Sequence, residues 1–225
     1  PAIVQNNSWA WSTAGYCSSF SSNCSNQNIA DMWTKGEFDW LKSNHGLSDD
    51  QGFAYLSTGN TANTSAWQSY ISALNDFQDT GVIVFVSCNY HNDDDVCVMG
   101  ALPEYYSQLA EAWLSVGWIE IEGSSITSST VKRSTNTGGN KCGSAAQYCV
   151  VAPGGNYNTP NGSSSGSYNL AGNGSSYAAP VVSGSIALLA QAFPNHTPEQ
   201  LVDRLLASAN NSFFTVSGYT NFVNG

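Results

Sequence analysis

Charge is what this sequence has least of. Of its 225 residues, 10% are Asp, Glu, Lys or Arg, and only six are basic. The balance is acidic, with a formal net charge of −10. Proteins that hold nucleic acid through its phosphates need clustered Lys and Arg. Here Lys132-Arg133 is the only adjacent basic pair, so nucleic acid is not an expected partner. Long apolar runs are missing too, and none reaches the roughly 18 residues of a membrane span. The three histidines are scattered and no cysteine pair has the C-x₂-C spacing of a zinc site, so no metal centre of that kind is expected. The chain shows no signal-peptide pattern and no initiator Met. It opens PAIVQNNSWAW, which reads as the middle of a strand, and the expectation is a piece of a longer precursor.

Polarity comes instead from Ser, Asn, Thr and Gly. Six cysteines fall as Cys17/Cys24, Cys88/Cys97 and Cys142/Cys149. Local pairs in loop-like sequence suggest short disulfide loops and an oxidising compartment. Pairing between neighbours is one of 15 connectivities open to six cysteines and is the expectation taken here. A length of 225 residues suffices for one large domain with a substantial core.

Periodicity then gives an outline. Residues 28–44 carry a moderate helical pattern interrupted by Gly36. Trp67, Tyr70, Ile71 and Leu74 follow the spacing of one buried helix face, so Asn63–Phe77 reads as a helix. Gln78-Asp79-Thr80-Gly81 ends it. GVIVFVSCN is continuous, β-branched and apolar, as in a strand of a parallel sheet. Leu114–Glu122 and Cys149–Ala152 look like further strands, and residues 154–169 like a polar surface loop. Ser175–Phe193 is an apolar helix. Thr197-Pro198-Glu199 opens another, with an N-cap and Pro at its first position. Alternating strands and helices predict an α/β domain with a mainly parallel sheet, and ligands in such folds bind beyond the carboxyl ends of the strands. That singles out Asn6–Ala10, Ser87–His91 and the turn at Gly172–Ser176.

The last of these is the most specific. NGSSYAAPVVSG places a hydroxyl at the mouth of a helix whose first residues are small. Backbone N–H groups and the helix dipole there favour developing negative charge. The string resembles the nucleophile motif of the subtilisin-like proteases, N-G-T-S-x-A-x-P-x-V-x-G, with Ser175 as a hydroxyl-for-hydroxyl change. The resemblance implies a three-layer αβα subtilisin-like fold and assigns the nucleophile to Ser176. It also puts Asn89, at the end of VIVFVSCN, where the family has an oxyanion-stabilising amide, with Cys88 in place of the usual Gly. AIVQNNSWAW resembles the strand that lines the main specificity pocket, which maps Ser8, Trp9 and Ala10 onto substrate contacts, with Ser87 and Cys88 beside them. An extended polypeptide is the implied partner, laid along that strand. ALPEYYSQLAEAWLSVGWIEI, with a leucine-proline helix, and NKCGSAAQYCVVAPGG resemble the subtilases of bacterial autotransporters. That implies a secreted or cell-surface protein, possible anchorage by an autotransporter barrel, and a single partial peptidase domain over residues 1–225 with 11–62 least matched.

Two triad members are not recognisable. In this family Asp and His precede Ser along the chain, and both are expected upstream of Pro1. Asp79-Thr80-Gly81 has the family's D-T-G letters but follows an amphipathic helix, where a turn is expected. His45-Gly46 lacks the rest of the histidine motif. His91 lies near the strand-end face, and neither it nor His196 has an expected base role. No organic or redox cofactor is implied. Asp93-Asp94-Asp95 offers oxygen ligands that suit Ca²⁺, although such runs more often form solvated loops. Two other readings stay open: a non-catalytic remnant that keeps the peptide groove, and a secreted polysaccharide-binding protein using aromatic residues such as Trp9, Trp11 and Tyr16.

Overall fold

The computed structural model describes residues 2–11, 33–88, 95–121, 131–132, 139–155, 157–160 and 168–209. Its centre is a sheet in which β1 (Val4–Asn7), β2 (Val82–Val86), β3 (Trp113–Ile121) and β5 (Cys149–Pro153) lie side by side and parallel. A two-residue β4 (Val131–Lys132) pairs antiparallel with the end of β3. The α/β architecture expected from the alternation of elements is therefore present.

Strand β2 shows why two layers of helix are needed. All five of its residues are buried. Successive side chains point to opposite faces, so Ile83 and Phe85 join one core cluster while Val82, Val84 and Val86 join the other. On the first face lie α1 (Lys35–His45), α2 (Asp49–Thr58) and α3 (Thr64–Gln78). That cluster is aromatic: Phe38, Phe53, Trp67 and Trp113 are all buried in it. On the second face lie α4 (Ser175–Ala192) and α5 (Pro198–Ser208), packed through small and β-branched residues.

The helix ends follow local chemistry. Thr34, Ser48 and Thr197 each close a capping box with the residue three positions on, Glu37, Gln51 and Gln200. Gly46 and Gly59 end α1 and α2 in the left-handed conformation. Of the helical pattern read over 28–44, the part within the described residues starts at Lys35, capped by Thr34. Helix α2 was not anticipated. Asp79-Thr80-Gly81 is the expected turn from α3 into β2, with Thr80 and Gly81 donating to Phe77 O at 3.0 and 2.9 Å.

Two expectations are corrected. Residues 154–169 are not simply a polar loop: β6 (Tyr157–Pro160) and β7 (Tyr168–Gly172) form an antiparallel pair. A polar two-stranded ribbon carries no apolar alternation, so its pairing leaves no trace in the pattern. The leucine-proline stretch is two 3₁₀ turns, Leu102–Glu104 and Ser107–Leu109, not one helix. Tyr105 and Tyr106 both donate to Leu102 O, which closes the first turn before a helix can extend.

Two expected disulfides are formed, Cys88–Cys97 and Cys142–Cys149. Cys17 and Cys24 lie outside the described residues. Among the described residues no helix is long and apolar enough to cross a membrane.

Candidate active site

Helix α4 presents its hydroxyl by phase. Ser175, Ala178, Ala179, Val182, Ser183 and Ile186 are its buried residues. Their spacing of i, i+3, i+4, i+7, i+8 and i+11 is one face of a helix. That face lies on the sheet, and Ser175 on it is fully enclosed. Ser176 is the next residue, turned about 100° further round the helix, and it is half-exposed. Of the two adjacent serines, only Ser176 is part-exposed at the helix mouth.

The turn before the helix is held from below. Gly174 has φ 138° and ψ 170°, a conformation that side chains resist. Its N–H donates to Gly154 O at 2.7 Å, and Gly154 N–H donates to Ile119 O at 3.0 Å. The loop that carries Ser176 is thereby pinned to the carboxyl ends of β3 and β5. Gly174 O in turn accepts from Tyr177 N (3.0 Å) and Ala178 N (3.3 Å), which starts the helix. The Tyr177 ring stacks on Tyr157 of β6 at 5.8 Å and 6°. So the unexpected hairpin braces the residue beside the hydroxyl.

The end of β1 closes on the same place. Asn7 is buried, and its Nδ2 donates to Val84 O at 3.3 Å while its Oδ1 accepts from Trp9 Nε1 at 3.3 Å. Ser8 Oγ donates to Ser176 O at 3.3 Å. Trp9 is 41% exposed and meets Phe85 and Trp11 edge-on at 5.3 and 6.1 Å. Ala10 is half-buried against the α4 side of the core. Ser8 is thus brought onto Ser176, while Trp9 turns toward Phe85 and Trp11.

Ser87 and Cys88 play a different part. Ser87 is fully buried, with its N–H donating to Val116 O (2.9 Å), its C=O accepting from Cys97 N (3.1 Å) and its hydroxyl donating to Asn140 O (3.4 Å). Cys88 is also buried and stands at φ 76°, the one positive φ outside glycine among the described residues. A family glycine at this place would adopt that φ without cost. Here the disulfide to Cys97 and a hydrogen bond from Asn140 N to Cys88 O (3.1 Å) hold it. Asn89 and His91 lie outside the described residues.

Neither of the other two histidines approaches Ser176. His45 ends α1, on the opposite face of the sheet from α4, and packs on Tyr55 at 5.3 Å. His196 lies beyond the far end of the 18-residue α4, about 27 Å along its axis at 1.5 Å per residue. There it packs on Phe193 at 5.0 Å, within 3.3 Å of Arg204. The acidic run is split. Asp93 and Asp94 lie outside the described residues, and Asp95 Oδ1 accepts from Val96 N, Ser144 N and Ser144 Oγ. Among the described residues no three His, Cys, Asp or Glu side chains converge as metal ligands would.

The sequence reading missed one part of this surface. Trp9 and Trp11 line a cleft of about 270 Å³ together with Ser57, Asn63, Trp67 and Tyr70 from α2 and α3. Burial pushes the Tyr70 hydroxyl up to about 12. The aromatic spacing of α3 signalled a core face, and Trp67 does serve the core, but nothing local tells that the same face emerges beside Trp9.

The subtilase family model (peptidase family S8) matches residues 4–223. The chain belongs to the subtilase family. Among solved structures it is similar to the prenylagaramide maturation protease PagA, with 19% identity and a TM-score of 0.47 over 70% of this chain and 50% of that one. Subtilase cytotoxin SubAB gives 20% and 0.48 over 66% and 47%, and Sphericase gives 22% and 0.45 over 61% and 43%. The subtilase chain described here thus spans about half the length of these structures or less. A search of curated proteins found no match.

Proposed function

We propose that this subtilase is an endopeptidase whose acyl-enzyme forms on Ser176. The carrying observation is the part-exposed Ser176 at the mouth of α4, with the preceding Gly174 held by Gly154 and its own backbone carbonyl held by Ser8. Ser176 Oγ attacks the scissile carbonyl. The Ser176 N–H and the Asn89 amide stabilise the oxyanion, in a setting where one such donor contributes about 10²–10³-fold to the rate. The substrate runs extended past the end of β1, along Ser8, Trp9 and Ala10, and its apolar side chains meet the aromatic cleft. Ser87 and Cys88 shape the floor through their backbone. The histidine that takes the proton, and the aspartate that orients it, come from sequence upstream of Pro1. This chemistry calls for no organic or redox cofactor. The disulfides fit an oxidising compartment, and the protein acts outside the cell or on a bacterial surface, carried there by an autotransporter barrel.

An alkylphosphonate probe tests the assignment. It should label Ser176 in the full-length precursor, and Ser176→Ala should abolish labelling. Residues 1–225 alone should react about a millionfold more slowly, the loss seen in subtilisin when its serine or histidine is removed. Fast labelling of residues 1–225 that His91→Ala abolishes would overturn the placement of the histidine. A precursor that is never labelled would overturn the protease reading and leave a peptide-binding remnant.

A further inference from the structure

Pro180 creates a vacancy in α4 that bears on Ser176. In an α-helix the carbonyl of residue i accepts from the N–H of residue i+4. For Ser176 that residue is Pro180, which lies inside the helix and has no N–H. The carbonyl of the proposed nucleophile therefore has no helical i+4 donor. Ser8 supplies one from the end of β1, 168 residues away in sequence, with Ser8 Oγ 3.3 Å from Ser176 O.

The donor does not stand alone. Asn6 Nδ2 donates to Ser8 Oγ at 3.0 Å, and Ser183 Oγ lies 3.0 Å from Asn6 Oδ1. Hydrogen counting fixes the direction of this chain. A carbonyl oxygen only accepts, so the single hydroxyl hydrogen of Ser8 goes to Ser176 O. Ser8 must then accept from Asn6, which turns the Asn6 amide nitrogen toward Ser8 and its oxygen toward Ser183. Ser183 must in turn donate to Asn6. The Ser183 hydroxyl also lies 3.0 Å from Ala179 O, but its one hydrogen is drawn to Asn6 while Ser8 serves Ser176. Both ends of the relay are on α4, and its middle is the strand along which substrate is proposed to lie.

We propose that Ser8 is a positioning residue: its hydroxyl replaces the helical donor lost at Pro180 and, backed by Asn6 and Ser183, locks the Ser176 backbone to strand β1. This rests on Ser176 being the nucleophile. Its consequence is that the register of a substrate on β1 and the position of the attacking oxygen are set by one hydrogen-bonded unit.

The test is a double-mutant cycle on the full-length protein with Ser8→Ala and Pro180→Ala. Pro180→Ala returns an N–H to position 180, so Ser176 O regains its helical partner. Phosphonate labelling is read as kinact and KI separately. Ser8→Ala should lower kinact about tenfold, the value of roughly one positioned hydrogen bond, with KI within about twofold. Ser8→Thr, which keeps the hydroxyl, should restore kinact. In the Pro180→Ala background the effect of Ser8→Ala should fall below about twofold. An equal effect in both backgrounds overturns the proposal, as does a Ser8→Ala variant that raises KI at unchanged kinact. Thermal unfolding of the same four proteins decides the link without any activity. Ser8→Ala should lower the midpoint by about 2–4 °C, and by less once Pro180 is Ala. Equal shifts in the two backgrounds refute the relay. A protein that unfolds as expected but takes no label refutes the protease reading while upholding the Ser8–Ser176 link.

Discussion

Gly154→Ala should damage the proposed active site through the backbone beneath it. A Cβ on Gly154 would stand 2.6 Å from Gly174 O, 2.6 Å from Trp118 Cβ and 3.3 Å from Ala178 Cβ. None of these is the tip of a flexible side chain, so the backbone itself must move, by about 0.8 Å to reach an ordinary 3.4 Å contact. Overpacking of this kind costs about 1–3 kcal/mol, and two contacts this short belong in the upper half of that range. For a domain of this size that lowers the melting temperature by about 4–12 °C. The displaced atom matters more than the energy. Gly174 O holds the N–H groups of Tyr177 and Ala178, so pushing it away loosens the turn that carries Ser176. A misplacement of about 1 Å can cost 10²-fold in rate, and phosphonate labelling of the full-length protein should slow by that order. Gly184→Ala, on α4 itself, is the control. It meets nothing within 4 Å, and replacing an exposed helical glycine should stabilise by about 0.5–1 kcal/mol. Circular-dichroism melts and labelling rates of the two variants read both effects. A Gly154→Ala protein that melts with the wild type and labels at its rate would refute the account of this clamp.

Two further outcomes follow from the strand end and from the charged face. Removing Cys88–Cys97 as Cys88→Ala/Cys97→Ala opens a cross-link of sequence separation 9, worth about 2.7 kcal/mol by chain entropy. Alanine at φ 76° keeps the backbone cost that cysteine already carries there, about 1 kcal/mol. Cys88→Gly/Cys97→Ala relieves it and should lose about 1 kcal/mol less, so denaturant midpoints of the two pairs should differ at equal m, and coinciding midpoints would contradict a role for the left-handed backbone. For Asp39, burial alone would raise the carboxyl, but hydrogen bonds from Lys35, Lys42 and Tyr105 hold it below its ordinary value. A lowered folded-state value stabilises above the unfolded pKa and is lost as pH falls through the folded one. Asp39→Asn should therefore cost about 0.5–1 kcal/mol at pH 7, and the cost should shrink as pH falls below the ordinary carboxylate range toward the lowered folded-state value, as measured by urea unfolding across an acid series. A cost that persists in acid would point to packing instead of charge.

What could be read from sequence depended on the range of the forces involved. Helix α3 and strand β2 were legible because burial stamps its period on adjacent residues such as Trp67, Ile71 and Leu74, or Val82 through Val86. The resemblance singles out Ser176 over Ser175 as the expected nucleophile, and the phase of Ala178, Ala179, Val182 and Ile186 makes Ser175 the buried one of the two. Helix α2 was missed because its apolar content is thin, with Gly52, Phe53 and Ala54 as its buried residues. Its real signals were the capping pair Ser48 and Gln51 and the left-handed Gly59. The contact of Ser183 with Asn6 spans 177 residues, and no local pattern records a pairing between a strand end and the third turn of a helix.

The two faces of the sheet divide the work between stability and position. The α1–α3 face is built from large rings. Phe53 stacks on Trp67 at 4.6 Å, and Phe85 stacks on Trp113 at 5.1 Å. Two of the six basic residues, Lys35 and Lys42, are spent there on Asp39 and Asp49. Truncating a buried ring on this face forfeits about 3–5 kcal/mol, yet the cavity lies across the sheet from Ser176. On the α4 face the contacts are Ala178, Ala179, Val182 and backbone glycines, so the helix lies close to the strands and has little slack. There a single added methyl moves the helix relative to β1 and β3, and with it the proposed attacking oxygen of Ser176. Substitutions of equal cost in stability should therefore separate by face: those among the rings lower the melting temperature with the labelling rate nearly intact, while those under α4 lower the labelling rate well before the protein unfolds.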